Sequence, residues 1–491
     1  MKRSGIRGGI TPIIPDFAAL YPGHILYGRI HTLIIQGVEM SDLQLAGEES
    51  PFPEQSRLEE LVHDVIKQAS GLGADGVEAG VSIDAGLAVT VRLGETETLE
   101  YNRDRSLGLT VYFNQRKGSA STADFSAESV AATVQAACDI ARYTSEDEYA
   151  GLPDPGRLAK DIPDLDLYHP WDVSAEQAIE IAGECELAAR EVDTRIENSE
   201  GGSVSSNVGM RVKANSDGFL GGYRSSYHSV SCCVIGKQGD EMQRDYWHDT
   251  ARDHTDLAAA AEIGRISGER TVRRLGTQRL TTRKAPVIFA ADIASSLFGH
   301  LISAVSGSSL YRKSSFLLDH LGKPVFPDFI HIHEQPLLKK GLGSAPYDGE
   351  GVATAARDIV RAGVLEGYVL SSYAARKLGM ETTANAGGVR NLTIDPGDRD
   401  LPGLLQTMDT GLLVTELIGF GVNIVTGDYS RGVAGFWVEG GEIQYPVDEI
   451  TIAGNLSDMF KDLVAVGNDV DKRGNTRCGS VLLDEMTIAG A

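Results

Sequence analysis

The chain has 491 residues, 42% of them hydrophobic and 23% charged, with a formal net charge of −24. That length admits two or three domains with substantial cores and excludes a single small binding module. The acidic balance opposes phosphate backbones and anionic lipid surfaces, and no apolar run approaches the ~20 residues that span a bilayer, so neither nucleic acid nor membrane is expected as a direct partner.

Residues 1–39 set Lys2, Arg3, Arg7 and Arg29 against Asp16 and Glu39, and Pro12, Pro15 and Pro22 interrupt any helix. The uninterrupted apolar stretch of a signal peptide is missing from them. Met40 is expected as the true start, with 1–39 a non-native or disordered extension and 40–55 a mobile acidic segment. Ser56 and Glu59 then have capping-box spacing, and Leu58, Leu61, Val62, Val65, Ile66 and Ala69 recur at helical intervals up to Gly71 and Gly73. Residues 77–83, 87–93, 95–101, 107–112 and 117–121 alternate apolar and polar, predicting short strands of an antiparallel meander. Helices are predicted over 126–143 and 174–192, the second with Ser174 and Gln177 at capping spacing. Strands follow over 204–235, broken by the turn Asn215-Ser216-Asp217-Gly218, and a long helix over 255–275 stops at Gly276. This order predicts an α+β domain over 56–276.

From Thr281 the pattern changes to a strand over 287–290, a helix holding Gly299 and His300, and a strand-rich remainder. The 56 glycines exceed the ~7% share usual in proteins and suit many tight turns. A second domain is expected over 277–491. The five cysteines, Cys138, Cys185, Cys232, Cys233 and Cys478, are scattered without a Cys-x-x-Cys pair, which favours a reducing cytoplasm over a disulfide framework.

Several motifs have plain structural readings. Gly71-x-Gly73-x-x-Gly76 matches a dinucleotide fingerprint, but a helix precedes it and a strand follows, the reverse of what pyrophosphate binding needs; it reads as a turn. Residues 468–474 resemble the start of a calcium loop with Arg473 where an oxygen ligand belongs, and are rejected as one. His331-Ile332-His333-Glu334 places two imidazoles on one face, either a weak metal site or a polar loop, the latter favoured. The segment Ser295-Ser296-Leu297-Phe298-Gly299-His300 has the length of a His-Glu-x-x-x-His zinc helix but offers serine at the first two places. Serine is a poor zinc ligand and no general base near neutral pH. Ser296 and His300 lie four apart on one helical face, yet no nucleophile elbow accompanies them. Cys478 reads either as a thiolate ligand or as a small buried apolar residue.

Residues 310–319 (Leu-Tyr-Arg-Lys-Ser-Ser-Phe-Leu-Leu-Asp), 427–438 (Gly-Asp-Tyr-Ser-Arg-Gly-Val-Ala-Gly-Phe-Trp-Val), 442–447, 450–456 and 466–469 closely resemble the TldD/PmbA family, a resemblance running from about residue 56 to the end. It implies a cytoplasmic metalloprotease made from two related subunits, acting on unstructured peptides such as peptide-antibiotic precursors and antitoxins. It further implies that a TldD-type subunit holds zinc through two histidines of a His-Glu-x-x-x-His motif and a cysteine near the C-terminus, whereas the other subunit type shares the fold without the full set. By position, Ser295 and Ser296 stand where the first ligand and the catalytic Glu would be, His300 matches the second His and Cys478 the Cys. The expectation is a subunit with no catalytic residue and no cofactor of its own, His300 and Cys478 being vestigial ligands, with zinc in a TldD-type partner. Gly435, Phe436, Trp437 and Val438, with 442–447, are candidates for pairing with an extended peptide, against the alternative that they are internal strands. A noncatalytic peptide- or protein-binding regulator is the alternative function, and a metal-free hydrolase using Ser296 and His300 a weaker third.

Overall fold

The computed structural model describes residues 51–490. The expectations for 1–39 and for 40–50 lie outside the described residues. The N-terminal part runs α1 (Gln55–Gly71), β1 (Gly76–Arg92), β2 (Glu95–Phe113), β3 (Arg116–Thr122), α2 (Ala127–Tyr143), α3 (Ala175–Arg190), β4 (Ile196–Asn215), β5 (Leu220–Gln238), β6 (Glu241–Ala251) and α4 (Ala260–Arg273). Its strands form one antiparallel sheet in the order β3-β2-β1-β4-β5-β6. Alternation decides which face is covered. Val77, Ala79, Val81, Ile83 and Ala85 of β1 pack under α1 and α2, and Leu87, Val89 and Val91 of the same face pack under α3 and α4. The opposite face of β1 carries residues such as Glu78, Ser82, Asp84 and Thr90, so this is the two-layer α+β arrangement expected.

Three boundaries differ from the sequence reading. The segments 77–83 and 87–93 are one 17-residue strand, and 95–101 and 107–112 lie within one 19-residue strand. Gly86 between them marks a close approach instead of a turn, since a Cβ there would lie 2.1 Å from Asn207 Oδ1 of β4. The Ser56–Glu59 box does not form: the helix starts at Gln55, one residue after its N-cap Glu54, so Ser56 is already inside the first turn. The long helix begins at Ala260 because residues 254–256 make a separate 3₁₀ turn capped by Asp253. The Ser174–Gln177 capping box and the turn at 215–218 are present as read, Asn215 Oδ1 accepting from Asp217 N at 3.1 Å and Phe219 N at 3.0 Å.

The C-terminal part comprises β7 (Arg283–Phe289), α5 (Ala291–Ala304), α6 (Gly307–Tyr311), β8 (Ile332–Glu334), β9 (Arg357–Arg361), β10 (Val364–Leu365), α7 (Ser372–Leu378), β11 (Leu392–Ile394), α8 (Leu401–Met408), β12 (Gly411–Ile418), β13 (Asp428–Glu439), β14 (Glu442–Asn455), α9 (Leu456–Lys461), β15 (Leu463–Val466), β16 (Thr476–Arg477) and β17 (Val481–Ala489). One sheet runs β14-β13-β12-β7-β17-β15, and an added β14–β17 pairing closes a ring of five strands. Its central strands β7, β12 and β13 carry runs of residues buried on both faces. Val287 and Phe289 join the main core with α5, while Ile288, Leu413, Phe436 and Val438 pack with α8 through Leu404, Leu405 and Met408. A smaller sheet, β10-β9-β8-β11-β16, lies beside it in sequence and carries the approach to Cys478.

Candidate functional site

The helix α5 follows directly from β7, the central strand that pairs parallel to β12 and antiparallel to β17. Ala294, Leu297, Phe298, Leu301 and Ile302 recur at helical spacing and are buried, which fixes the helix rotation. Ser295, Ser296, Gly299 and His300 consequently occupy its half-buried flank. The Ser296 hydroxyl donates to the Ile293 carbonyl of its own helix at 2.7 Å, so it is committed to the backbone and makes no hydrogen bond to His300. That geometry gives no support to a Ser–His nucleophile pair.

His300 Nε2 is buried without a hydrogen-bond partner, and the ring meets Tyr429 of β13 edge-to-face at 5.9 Å. Burial, with the Arg431 guanidinium nearby, pushes the imidazole down to about 4, so it is neutral at pH 7. Cys478, just past β16, is 1% exposed and belongs to the main core cluster. Its thiol donates to the Gly479 carbonyl at 3.0 Å, and burial beside Asp469 and Asp471 raises its pKa well above that of a free thiol. Among the described residues no three of His, Cys, Asp and Glu are grouped so as to hold a metal ion. With serine at both positions, α5 itself offers His300 as its one imidazole, fewer donors than the three protein ligands of a catalytic zinc centre.

Gly435, Phe436, Trp437 and Val438 lie in mid-sheet. Phe436 faces Leu413 of β12 on one side and Pro446 of β14 on the other, and Trp437 faces Leu412 and Tyr445. Both aromatic side chains are 2% exposed. A Cβ on Gly435 would lie 2.0 Å from the Leu413 carbonyl, so glycine is required by close strand approach. Backbone pairing with a peptide at 435–438 would have to displace a neighbouring strand; the arrangement is that of internal strands. In β14 the exposed stretch 442–444 is paired to β13, while the Pro446 carbonyl accepts from Gln278 N at 2.9 Å.

The remaining motifs have structural roles. His331 and His333 share the Asp395 carboxylate, through Nδ1 and Nε2 respectively at 2.9 Å each, and His331 Nε2 meets Asp358 at 2.7 Å. These bonds tie β8 to the β9 and β11 sides, with residues 332–334 a strand and not a loop. Asp469 accepts from Ser480 N and Oγ, and Asp471 pairs with Arg473.

Sequence reasoning missed a charged network that anchors α5. Arg270 of α4 bonds Asp292 in the first turn of α5 at 3.0 Å and Asp245 of β6 at 3.2 Å. Arg274 reaches Asp245 at 3.6 Å and Glu416 of β12 at 2.6 Å. The Trp247 ring carries both the Arg270 and Arg473 guanidiniums, at 4.9 and 3.7 Å. The spacing of Arg270, Arg273 and Arg274 on one helical face was the available signal; their acidic partners lie far away in sequence.

Comparisons with known proteins agree with this architecture. The family models described as PmbA/TldA metallopeptidase domain 1, central domain and C-terminal domain match residues 77–141, 168–275 and 282–490. The chain belongs to the PmbA/TldD metallopeptidase family. Metalloprotease PmbA of Escherichia coli O157:H7 is 53% identical over 433 residues, covering 88% of this chain and 96% of the relative. A Metalloprotease PmbA homolog of Haemophilus influenzae is 47% identical, covering 89% and 97%. Among solved structures, a Bacteroides thetaiotaomicron protein superposes with a TM-score of 0.84 at 30% identity, covering 88% of this chain and 99% of that one. TldE from Thermococcus kodakarensis has the same fold, with a TM-score of 0.76 at 22% identity and coverage of 88% and 100%.

Proposed function

We propose that this chain is the PmbA/TldE-like subunit of a heteromeric zinc metalloprotease, acting in the cytoplasm on unstructured peptides such as peptide-antibiotic precursors and antitoxins. In this reading a TldD-type partner holds the zinc and the catalytic base, and this chain contributes chamber wall and peptide-binding surface. The observation that carries the reading is α5 itself: serine at both positions where a ligand and a base are needed, which leaves His300 as the helix's one imidazole.

An exposed apolar loop supports a protein partner. At the end of β12 and in the loop to β13, Ile418, Phe420 and Val425 are 48%, 91% and 53% exposed, and the loop is held to β13 by the Ser430 N to Gly421 carbonyl bond at 2.6 Å and by pairing of Val422 with Tyr429. It therefore flanks the strand that contacts His300. No described helix is long and apolar enough to cross a membrane.

The test is hydrolysis of an unstructured peptide by this chain, by a TldD-type subunit, and by their mixture. Cleavage by the mixture well above that of the partner alone, with none from this chain, is expected. Equal rates for partner and mixture would favour the noncatalytic regulator instead.

A further inference from the structure

At the entry to α3, residues 170–173 and the first two turns of the helix border an open surface groove of about 440 Å³. Its wall includes Trp171, Asp172, Val173, Glu180, Ile181 and His254. The Trp171 indole is held in place on two sides. It lies parallel to the His254 imidazole with centroids 5.2 Å apart, and meets His228 edge-on at 5.6 Å. His228 is buried and anchored at both ring nitrogens, to Ser206 Oγ at 3.0 Å and to the His169 carbonyl at 2.8 Å.

The two carboxylates on this wall are in a different situation. The Asp172 and Glu180 side chains are solvent-exposed and have no hydrogen bond or ion pair among the described residues, whereas the nearby Glu176, also exposed, accepts from Ser174 Oγ at 2.9 Å. A helix N-terminus by itself favours an anion, but Asp172 just before α3 and Glu176 and Glu180 in its first two turns set negative charge there. An aromatic stack beside unpaired carboxylates, with Val173 and Ile181 as apolar wall, matches a planar cation on an aliphatic stem.

We propose that this groove binds the guanidinium side chain of an arginine in a peptide. The indole takes the flat face of the cation, Asp172 and Glu180 take its charge, and Val173 and Ile181 take its methylenes. Lysine, a compact and strongly hydrated ammonium, lacks the planar face that stacks. The site is distinct from α5 and goes beyond the proteolytic reading. Its test measures binding to this chain alone, so a failure here leaves the proteolysis experiment untouched.

Titration calorimetry of the full chain with acetyl-Gly-Gly-Arg-Gly-Gly-amide and with its citrulline counterpart, at low ionic strength, tests the proposal. Citrulline keeps the shape and removes the charge. The arginine peptide is expected to bind with a salt-sensitive affinity at least about tenfold above that of the citrulline peptide. The exposed double substitution Asp172→Asn with Glu180→Gln, checked for an unchanged melting temperature, is expected to lower arginine-peptide affinity about tenfold. Trp171→Leu should weaken it as well. Absence of binding, equal affinity for the two peptides, or full affinity in the double variant would overturn the proposal.

Discussion

His300 gives the family resemblance a measurable electrostatic consequence. A histidine whose folded pKa is about 4, against 6.5 when unfolded, is neutral in the folded chain, while the unfolded chain takes up the proton first. Its contribution is therefore present above pH 6.5 and is lost as pH falls from about 6.5 to about 4, with an upper bound of about 3 kcal/mol. His300→Phe keeps a ring against Tyr429 and removes the orphaned nitrogen. Urea unfolding of this variant is expected to give a shallower loss of stability between pH 6.5 and 4 than the parent, and no loss at pH 7. A parallel pH dependence in both chains would mean that His300 is already solvated or paired. The Cys478 thiol, buried, protonated and bonded to a carbonyl, is expected to resist alkylation in the native state and to react only on unfolding, as mass spectrometry of labelled peptides would report.

The contact between α3 and α4 depends on small residues. A Cβ on Gly264 would lie 1.9 Å from the Cys185 carbonyl, and one on Gly268 would lie 2.5 Å from the Ala189 carbonyl. Gly264→Ala is therefore expected to destabilise the fold by about 2 kcal/mol despite alanine's better helix propensity, read as a lowered urea midpoint. A raised midpoint would show that the two helices separate freely. Such contacts also mark what was legible in sequence. Amphipathic spacing and Ser174–Gln177 capping located α2 and α3, because those signals are local. Strand continuity through Gly86 was not legible, since it depends on Asn102 and Asn207 from neighbouring strands. The Gly435–Val438 segment shows the same limit: its residues read equally as an edge or an internal strand until β12 and β14 are placed on its two sides. At α5 the serines at 295 and 296 and His300 were legible in the sequence, but the unpaired Nε2 of His300 and the surroundings of Cys478 required the packed core.

Across the whole molecule, Arg270 joins β6 and α4 to the first turn of α5. Removing it leaves Asp292 without its ion-pair partner and Asp245 with Arg274 alone, so Arg270→Ala is expected to cost about 3 kcal/mol and Arg270→Lys less. Coincident melting of the variant and parent chains would contradict that role. The same network ties α5 to α4, β6 and β12. Phe420→Asp is expected to weaken association with a TldD-type subunit while leaving the melting temperature of this chain unchanged, since its side chain is 91% exposed. The most direct test of the central claim is zinc content, measured on the purified full chain after incubation with excess zinc and desalting, alone and in complex with a TldD-type subunit. The account predicts substoichiometric zinc in the isolated chain, unaltered by His300→Ala or Cys478→Ser, and one zinc per heteromeric pair. One zinc retained per isolated chain and lost on either substitution would contradict it.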